Sequence, residues 1–182
     1  MPEQAFISLG SNIEPEMHLL RAGLFLAAIG RVEAVSMVYQ NPALSASPQA
    51  DFLNAAARVE TELQPLEIRA ILRGIEEVLG RVRSADKYAP RTIDLDLCML
   101  GDWVLESDLL TLPDPEMLSR AFLAIPMAEL APDILHPITH EPLQKIAARL
   151  RRGAKLIERP DVRERFPLPF WISRSKSAFD RN

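Results

Sequence analysis

Two acids, Asp94 and Asp96, stand one residue apart in the run "TIDLDLCML", directly after a Pro-Arg pair at residues 90 and 91. In a β-strand successive side chains alternate between faces, so both carboxylates share one face while Ile93, Leu95 and Leu97 share the other. At a rise of about 3.3 Å per residue the two Cα atoms lie about 7 Å apart. Unit charges at that spacing repel by roughly 2.4 kcal/mol at an effective dielectric of about 20. Two things offset such a repulsion: solvent on an exposed strand face, the ordinary reading of an isolated Asp-x-Asp, or divalent cations between the carboxylates. Arg81, Arg83, Lys87 and Arg91 precede the pair in a stretch without periodicity. A carboxylate pair that holds Mg²⁺ beside several cations suits phosphoryl transfer, because the metal bridges phosphate oxygens and guanidinium groups neutralise developing charge. The implied substrate is a nucleoside triphosphate. The chain has no G-x-x-x-x-G-K-[ST], and "GSN" at residues 10–12 is not a dinucleotide fingerprint, so the phosphate site is of another kind.

The elements that must position these groups are legible from periodicity and turn chemistry. "AFISL" at residues 5–9 is a short β-type run that stops at "GSN". A helix comes next, with Leu19, Ala22, Leu26 and Ile29 at three- and four-residue steps and Gly30 as its stop. "RVEAVSMVYQ" reads as a valine-rich strand, "NPALSASPQA" as a surface loop, and "DFLNAAARVETEL" as a second long strand antiparallel to the first. Pro65 to Gly80 carries helix signals at both ends. The strand holding Asp94 and Asp96 is expected to continue past a turn at Gly101 and Asp102. Residues 116–132 and 142–153 read as short helices over an open part of the sheet, with Pro126 interrupting or starting one of them. This βαββαβ order implies an α+β fold: a ferredoxin-like antiparallel sheet with helices packed on it, an α-β-α sandwich. From Lys155 onward, charges alternate with prolines and aromatics, Trp171 among them. No core role is assigned there, so the expected division is a domain over 1–154 and a tail over 155–182.

With 182 residues, 48% of them hydrophobic, the chain is long enough for a core and short enough for one domain. A formal net charge of −4 argues against a nucleic-acid or anionic-membrane partner. The one cysteine, Cys98, lies in an apolar run, which excludes an intrachain disulfide and a multi-cysteine metal site and fits a reducing cytoplasm. The N-terminus lacks a basic region followed by a long apolar stretch, and no segment approaches a membrane span, so neither secretion nor membrane insertion is expected. His18, His136 and His140 have no motif partners.

"RVRSADKYAPRTIDLDL", with "FISLGSN" before it, "DFLNAA" between and "LPDPEMLSRAFLAIPMAELAP" after, resembles the 6-hydroxymethyl-7,8-dihydropterin pyrophosphokinase family of folate biosynthesis. The resemblance covers about residues 4–150. It implies transfer of the β,γ-diphosphate of ATP to the pterin hydroxymethyl group, release of AMP, and two Mg²⁺ ions on the triphosphate. Asp94 and Asp96 match the metal-binding pair. Arg81 and Arg83 match mobile-loop arginines that approach the phosphates, Arg91 the arginine beside the metal acids, Arg120 another phosphate-side arginine, and Glu76 an acid near the nucleotide, although its place near the end of the second helix equally allows a solvated helix residue. Phe52 and Phe122 match the two aromatics that hold the pterin, Asn54 the residue that reads its amide edge, and Pro42, Ala43 and Leu44 the loop whose backbone meets it. Stacking plus a few fixed hydrogen bonds is how a planar polar heterocycle is oriented. The resemblance also implies a monomer.

Four positions depart from the family pattern. Asp114 stands where histidine is usual, Tyr88 where tryptophan is, Arg73 where glutamine is and Asn41 where threonine is; the first three fall on the ATP side. Two further readings therefore stay open: a diverged relative acting on another small alcohol, and a non-catalytic pterin- or nucleotide-binding protein. No general base stands out, which suits a reaction run by positioning and electrostatics.

Overall fold

The computed structural model describes residues 1–45, 48–84, 86 and 88–166. Lys87, Trp171 and the rest of the tail from Pro167 lie outside the described residues. Strand β1 (Glu3–Ser11) runs through the middle of an antiparallel sheet. Helix α1 (Pro15–Phe25) leads to β2 (Arg31–Val35) and β3 (Tyr39–Asn41), which both pair with β4 (Phe52–Thr61). Helix α2 (Pro65–Val78) then leads to β5 (Asp94–Leu100), an edge strand on the other side of β1. The fold is α+β, as expected.

Side-chain alternation along β1 divides the interior in two. Ala5, Ile7 and Leu9 meet Leu19, Ala22 and Leu26 around α1 and Ile68, Leu72 and Ile75 of α2. Phe6, on the opposite face, packs with Ala56, Cys98 and Met99 against α3 (Ala121–Leu130) and α4 (Leu143–Arg151). The sheet is thus covered on both faces, but α3 begins beside the ends of β1 and β5 and leaves Ser8, Gly10, Asp94 and Asp96 to line a cleft.

Four expectations are corrected. The valine-rich run is two strands, because at its centre Ala56 donates its N–H to Ser36 Oγ at 2.9 Å instead of to a backbone carbonyl, and the ladder already slips between Val32 and Ala34. The strand carrying the acids ends at Leu100: Gly101 takes a left-handed φ of 47°, and the chain then forms a separate hairpin of β6 (Leu105–Glu106) and β7 (Thr111–Leu112). Pro126 neither starts nor interrupts a helix but lies within α3. The bond it forfeits is the one to the Phe122 carbonyl, at the cleft end of that helix.

The end of α1 is also not what glycine at 30 suggests. The helix stops at Phe25 and tightens into a 3-10 turn over Leu26–Ala28. Gly30 serves a close approach instead: a Cβ there would lie 2.1 Å from the Glu60 carbonyl oxygen of β4. At the C-terminal end of the chain, β8 (Ile157–Glu158) pairs with β3, and the single turn α5 (Pro160–Arg163) buries Val162 among the α1-side core residues, followed by Phe166. Among the described residues, no helix is long and apolar enough to cross a membrane.

Gly30→Ala is expected to destabilise the protein by about 1–3 kcal/mol, since β2 must move off β4 to admit one methyl group. Urea unfolding checks this, and a midpoint equal to that of the wild type would show that the β2 end yields without strain.

Candidate active site

A cleft of about 520 Å³ wraps around the β5 edge, between the first turn of α3, the flank of α2 that carries Arg69, Arg73 and Glu76, and the segment before β5. Local sequence accounts for much of its wall. Gln64 caps α2 in a reciprocal box with Glu67, and Pro65 opens the helix. At the other end Gly80 is left-handed, with φ 77°. Gly80 N–H donates to Glu77 O and Arg81 N–H to Glu76 O, at 3.0 and 2.9 Å, the Schellman arrangement. That turn folds Arg81 back over Glu76.

Glu76 is 2% exposed, so the solvated helix position that its spacing also allowed is excluded. Its Oε1 accepts the Leu95 N–H at 2.9 Å, at the outer edge of β5. The same carboxylate pairs with Arg81 and, at 2.5 Å, with Arg83. Burial pushes its carboxyl up from the usual range, against the Leu95 N–H and Arg81, which favour the charge. Arg81 also pairs with Asp94 and donates to the Ile93 carbonyl at 3.1 Å. Asp94 takes a second guanidinium from Arg91 at 2.5 Å. Glu76, Arg81, Asp94 and Arg91 therefore form one chain of alternating charge.

Asp96 is placed differently. Its side chain is exposed to the cleft yet sits in a concavity surrounded by protein. That enclosure, and then the charges of Asp94, Asp114 and Glu76, hold its carboxyl well above the usual carboxylate range, with Arg81 acting the other way. Asp114 caps the 3-10 turn Pro115–Leu118, its Oδ1 accepting the Glu116 N–H at 2.8 Å. Its own N–H donates to the Cys98 carbonyl at 2.8 Å, fixing this acid beside β5.

At the other end of the cleft, Phe52, Asn54, Leu44 and Phe122 come together. Asn54 Nδ2 donates to Asn41 Oδ1 at 2.6 Å, and Asn41 Nδ2 donates to the Pro42 carbonyl at 3.0 Å. The Arg91 guanidinium lies 5.9 Å from the Phe52 ring centroid and joins the two ends of the cleft. Of the expected site residues, Arg73, Glu76, Arg81, Arg83, Tyr88, Arg91, Asp94, Asp96, Asp114 and Arg120 all line the cleft, whereas Pro42 and Ala43 do not.

Two features escaped the sequence reading. Arg69 lines the cleft one helical turn before Arg73; its i, i+4 spacing to Arg73 was the available signal. Ser11 and Asn12 of "GSN" form a clamp. Ser11 Oγ donates to Thr92 O at 2.5 Å, Asn12 Oδ1 accepts the Arg91 N–H at 2.8 Å, and Asn12 Nδ2 reaches Gln49 and Ala50. Nothing local announces those partners, which lie far along the chain. The histidines stay outside the cleft; His18 Nδ1 bonds Ile13 O at 2.7 Å, and His136 is buried with its Nδ1 facing the Ile138 and Thr139 N–H groups.

Residues 6–132 match the family model described as 7,8-dihydro-6-hydroxymethylpterin-pyrophosphokinase. The chain is 40% identical over 136 residues to the 2-amino-4-hydroxy-6-hydroxymethyldihydropteridine pyrophosphokinase of Synechocystis sp., covering 73% of this chain and 69% of that one. The protein of the same name from Haemophilus influenzae is 36% identical over 138 residues, 73% of this chain and 84% of its own. The folic acid synthesis protein fol1 of Schizosaccharomyces pombe is 32% identical over 151 residues, but these are 80% of this chain and only 20% of that protein. Among solved structures, an HPPK-DHPS in complex with substrates superposes with a TM-score of 0.66 at 12% identity, over 84% of this chain and 44% of that one. This chain thus spans less than half of that solved protein, and at such identity the likeness concerns the fold.

Glu76→Ala is expected to cost about 3 kcal/mol, the low end for removing one partner of a buried pair, because Arg81 keeps Asp94. Urea unfolding measures it; a loss below about 1 kcal/mol, the level of an exposed pair, would mean that solvent replaces the carboxylate.

Proposed function

Because this chain belongs to the 7,8-dihydro-6-hydroxymethylpterin-pyrophosphokinase family, we propose that it transfers diphosphate from ATP to 6-hydroxymethyl-7,8-dihydropterin, a step of folate biosynthesis. The hydroxymethyl oxygen attacks the β-phosphorus and gives up its proton to solvent, the bond from that phosphorus to the oxygen bridging to the α-phosphate breaks, and AMP leaves. The observation that carries this reading is the cleft itself, with an aromatic and amide end at Phe52, Asn54 and Phe122 and an acid and arginine end around Asp94, Asp96 and Arg91.

The residues present fit a divalent metal. Six arginines and five carboxylates among the described residues line the cleft, so a triphosphate would leave it strongly negative without an added cation. Asp96 already stands among acids that one arginine does not offset. Mg²⁺ is commonly held by one or two carboxylates together with substrate phosphates. Asp94 and Asp96 would hold it, two ions in our reading, and bound there it would neutralise charge on the phosphate oxygens.

The chain's own groups do the rest. Arg83, Arg91 and Arg120 would meet the phosphates, while Arg81 and Arg83 exchange their carboxylate partners for phosphate oxygens as the segment before β5 closes. Arg73, Glu76, Tyr88 and Asp114 line the ATP end. Phe52 and Phe122 would sandwich the pterin, with Asn54 at its amide edge and Leu44 beside it. Positioning and charge neutralisation supply the catalysis.

The strand order β5-β1-β4-β3, with β2 also on β4, supports the ferredoxin-like reading of the core. Residues 1–154 are proposed as the catalytic domain of a cytoplasmic monomer that needs neither nucleic acid nor membrane, with residues 157–166 packed into its sheet and core.

Release of AMP from ATP and Mg²⁺ is expected to depend on the pterin. Asp96→Ala is expected to lower the rate by about 10²–10³-fold, the scale of losing a charge-stabilising group at the reacting phosphates. An Asp96→Ala variant that turns over like the wild type would end this reading.

A further inference from the structure

Residues 157–166 lie beyond the 6–132 segment that the family model matches, yet they are tied to the pterin end of the cleft. We propose that this C-terminal strap, through Arg159, is a positioning element that holds the pterin-side wall by cinching the neck of the 42–51 loop.

The argument starts at β3. This strand has three residues, and its two outermost rungs, Gln40↔Leu53 and Asn41↔Phe52, carry the loop that includes Leu44. So short a strand would be a frayed edge if nothing covered it. The strap covers it. Ile157 and Glu158 pair with Gln40 and Tyr39, and the Arg159 N–H donates to the Val38 carbonyl at 2.8 Å.

The Arg159 guanidinium then reaches three elements at once. Nη1 donates to Gln40 Oε1 at 3.1 Å, and Nη2 donates to Glu16 of α1 and to Asp161 of the strap, each at 2.7 Å. The Gln40 amide relays the contact, because its Nε2 donates to Asp51 Oδ2 at 2.9 Å, across the neck of the loop. One rung closer to the loop are Asn41 and Phe52, and Asn41 holds the Asn54 side chain. The strap is itself anchored by Val162 and Phe166 in the core, by Arg163 Nε on the Val35 carbonyl at 3.1 Å, and by Arg165 on Glu16 at 2.7 Å. A planar fork on a rigid anchor thus reaches the wall through one amide, and a wall ordered in advance spares the ligand the cost of ordering it.

This inference rests on the pterin lying against Asn41, Phe52 and Asn54, as proposed above. Its test uses the full chain and two variants, Arg159→Ala and Gln40→Ala. The second separates wall from fold, since it leaves the strap's ladder, its buried anchors and its pairs with Glu16 and Asp161 in place. Both are expected to raise KM for the pterin about fivefold while KM for ATP and kcat stay within about twofold. Thermal unfolding of Gln40→Ala should stay close to wild type. Pterin KM within about twofold of wild type in both variants would overturn the proposal. So would a joint change in both KM values and kcat that tracks a loss of thermal stability. Should the wild type release no AMP, the proposed reaction fails. Calorimetric titration with the pterin then decides the strap: weaker binding by both variants supports it, and equal or absent binding overturns it.

Discussion

The cleft depends on one buried carboxylate. Glu76 closes the C-terminal turn of α2, takes the outward N–H of Leu95 on the edge strand, and binds Arg81 and Arg83. A carboxylate taken out of water costs free energy unless charge and hydrogen bonds surround it, and here three donors do so. The consequence is geometric. The end of α2, the beginning of the basic segment and the edge of β5 are held together at one point, and through Arg81 that point reaches Asp94. Moving any one of these partners exposes the others to an uncompensated charge.

The edge position of β5 matters as much. An interior strand would have used both sides of its backbone on neighbours, whereas among the described residues β5 pairs only with β1 in the sheet and turns its other side to Glu76 and to Asp114. The register with β1 slips between Phe6 and Ile7, so Cys98 and Met99 both contribute to the α3-side core while the acids stay ahead of the helix. The carboxylates are therefore left beside the first turn of α3 and not under it. Solvent reaches Asp96, and Phe52 and Phe122 line the same cleft.

The two ends of the cleft are not independent. Arg91 is paired to Asp94 and stands over Phe52, and its backbone is clamped by Asn12. Asn12 in turn holds Gln49 and Ala50, at the base of the loop that carries Leu44, and Gln49 donates to the Tyr88 carbonyl at 2.7 Å. The turn after β1, the loop before β4 and the segment before β5 thus meet around a few polar side chains. Loops positioned by a packed scaffold in this way are where binding residues concentrate.

The sequence by itself determined what local periodicity carries. Strand alternation put Asp94 and Asp96 on one face, Pro65 and Gly80 bounded α2, and the succession of strands and helices implied an antiparallel α+β sheet. The motif around "PRTIDLDL" also led to the family. Tertiary structure alone decided the rest. Helical spacing left Glu76 open between solvent and core, and only the arrival of β5 buried it. A run of valines did not reveal that Ser36 breaks the ladder with β4, because the competing donor, Ala56, is 20 residues away. Residues 157–166 looked like an unassigned tail, since a two-residue strand and a single helical turn have no period to read; they acquire a place only by pairing with β3 and filling a gap at α1. Local propensity is written within one helical turn or two strand residues, whereas burial, charge pairing and edge coverage depend on which distant segments the folded chain brings into contact.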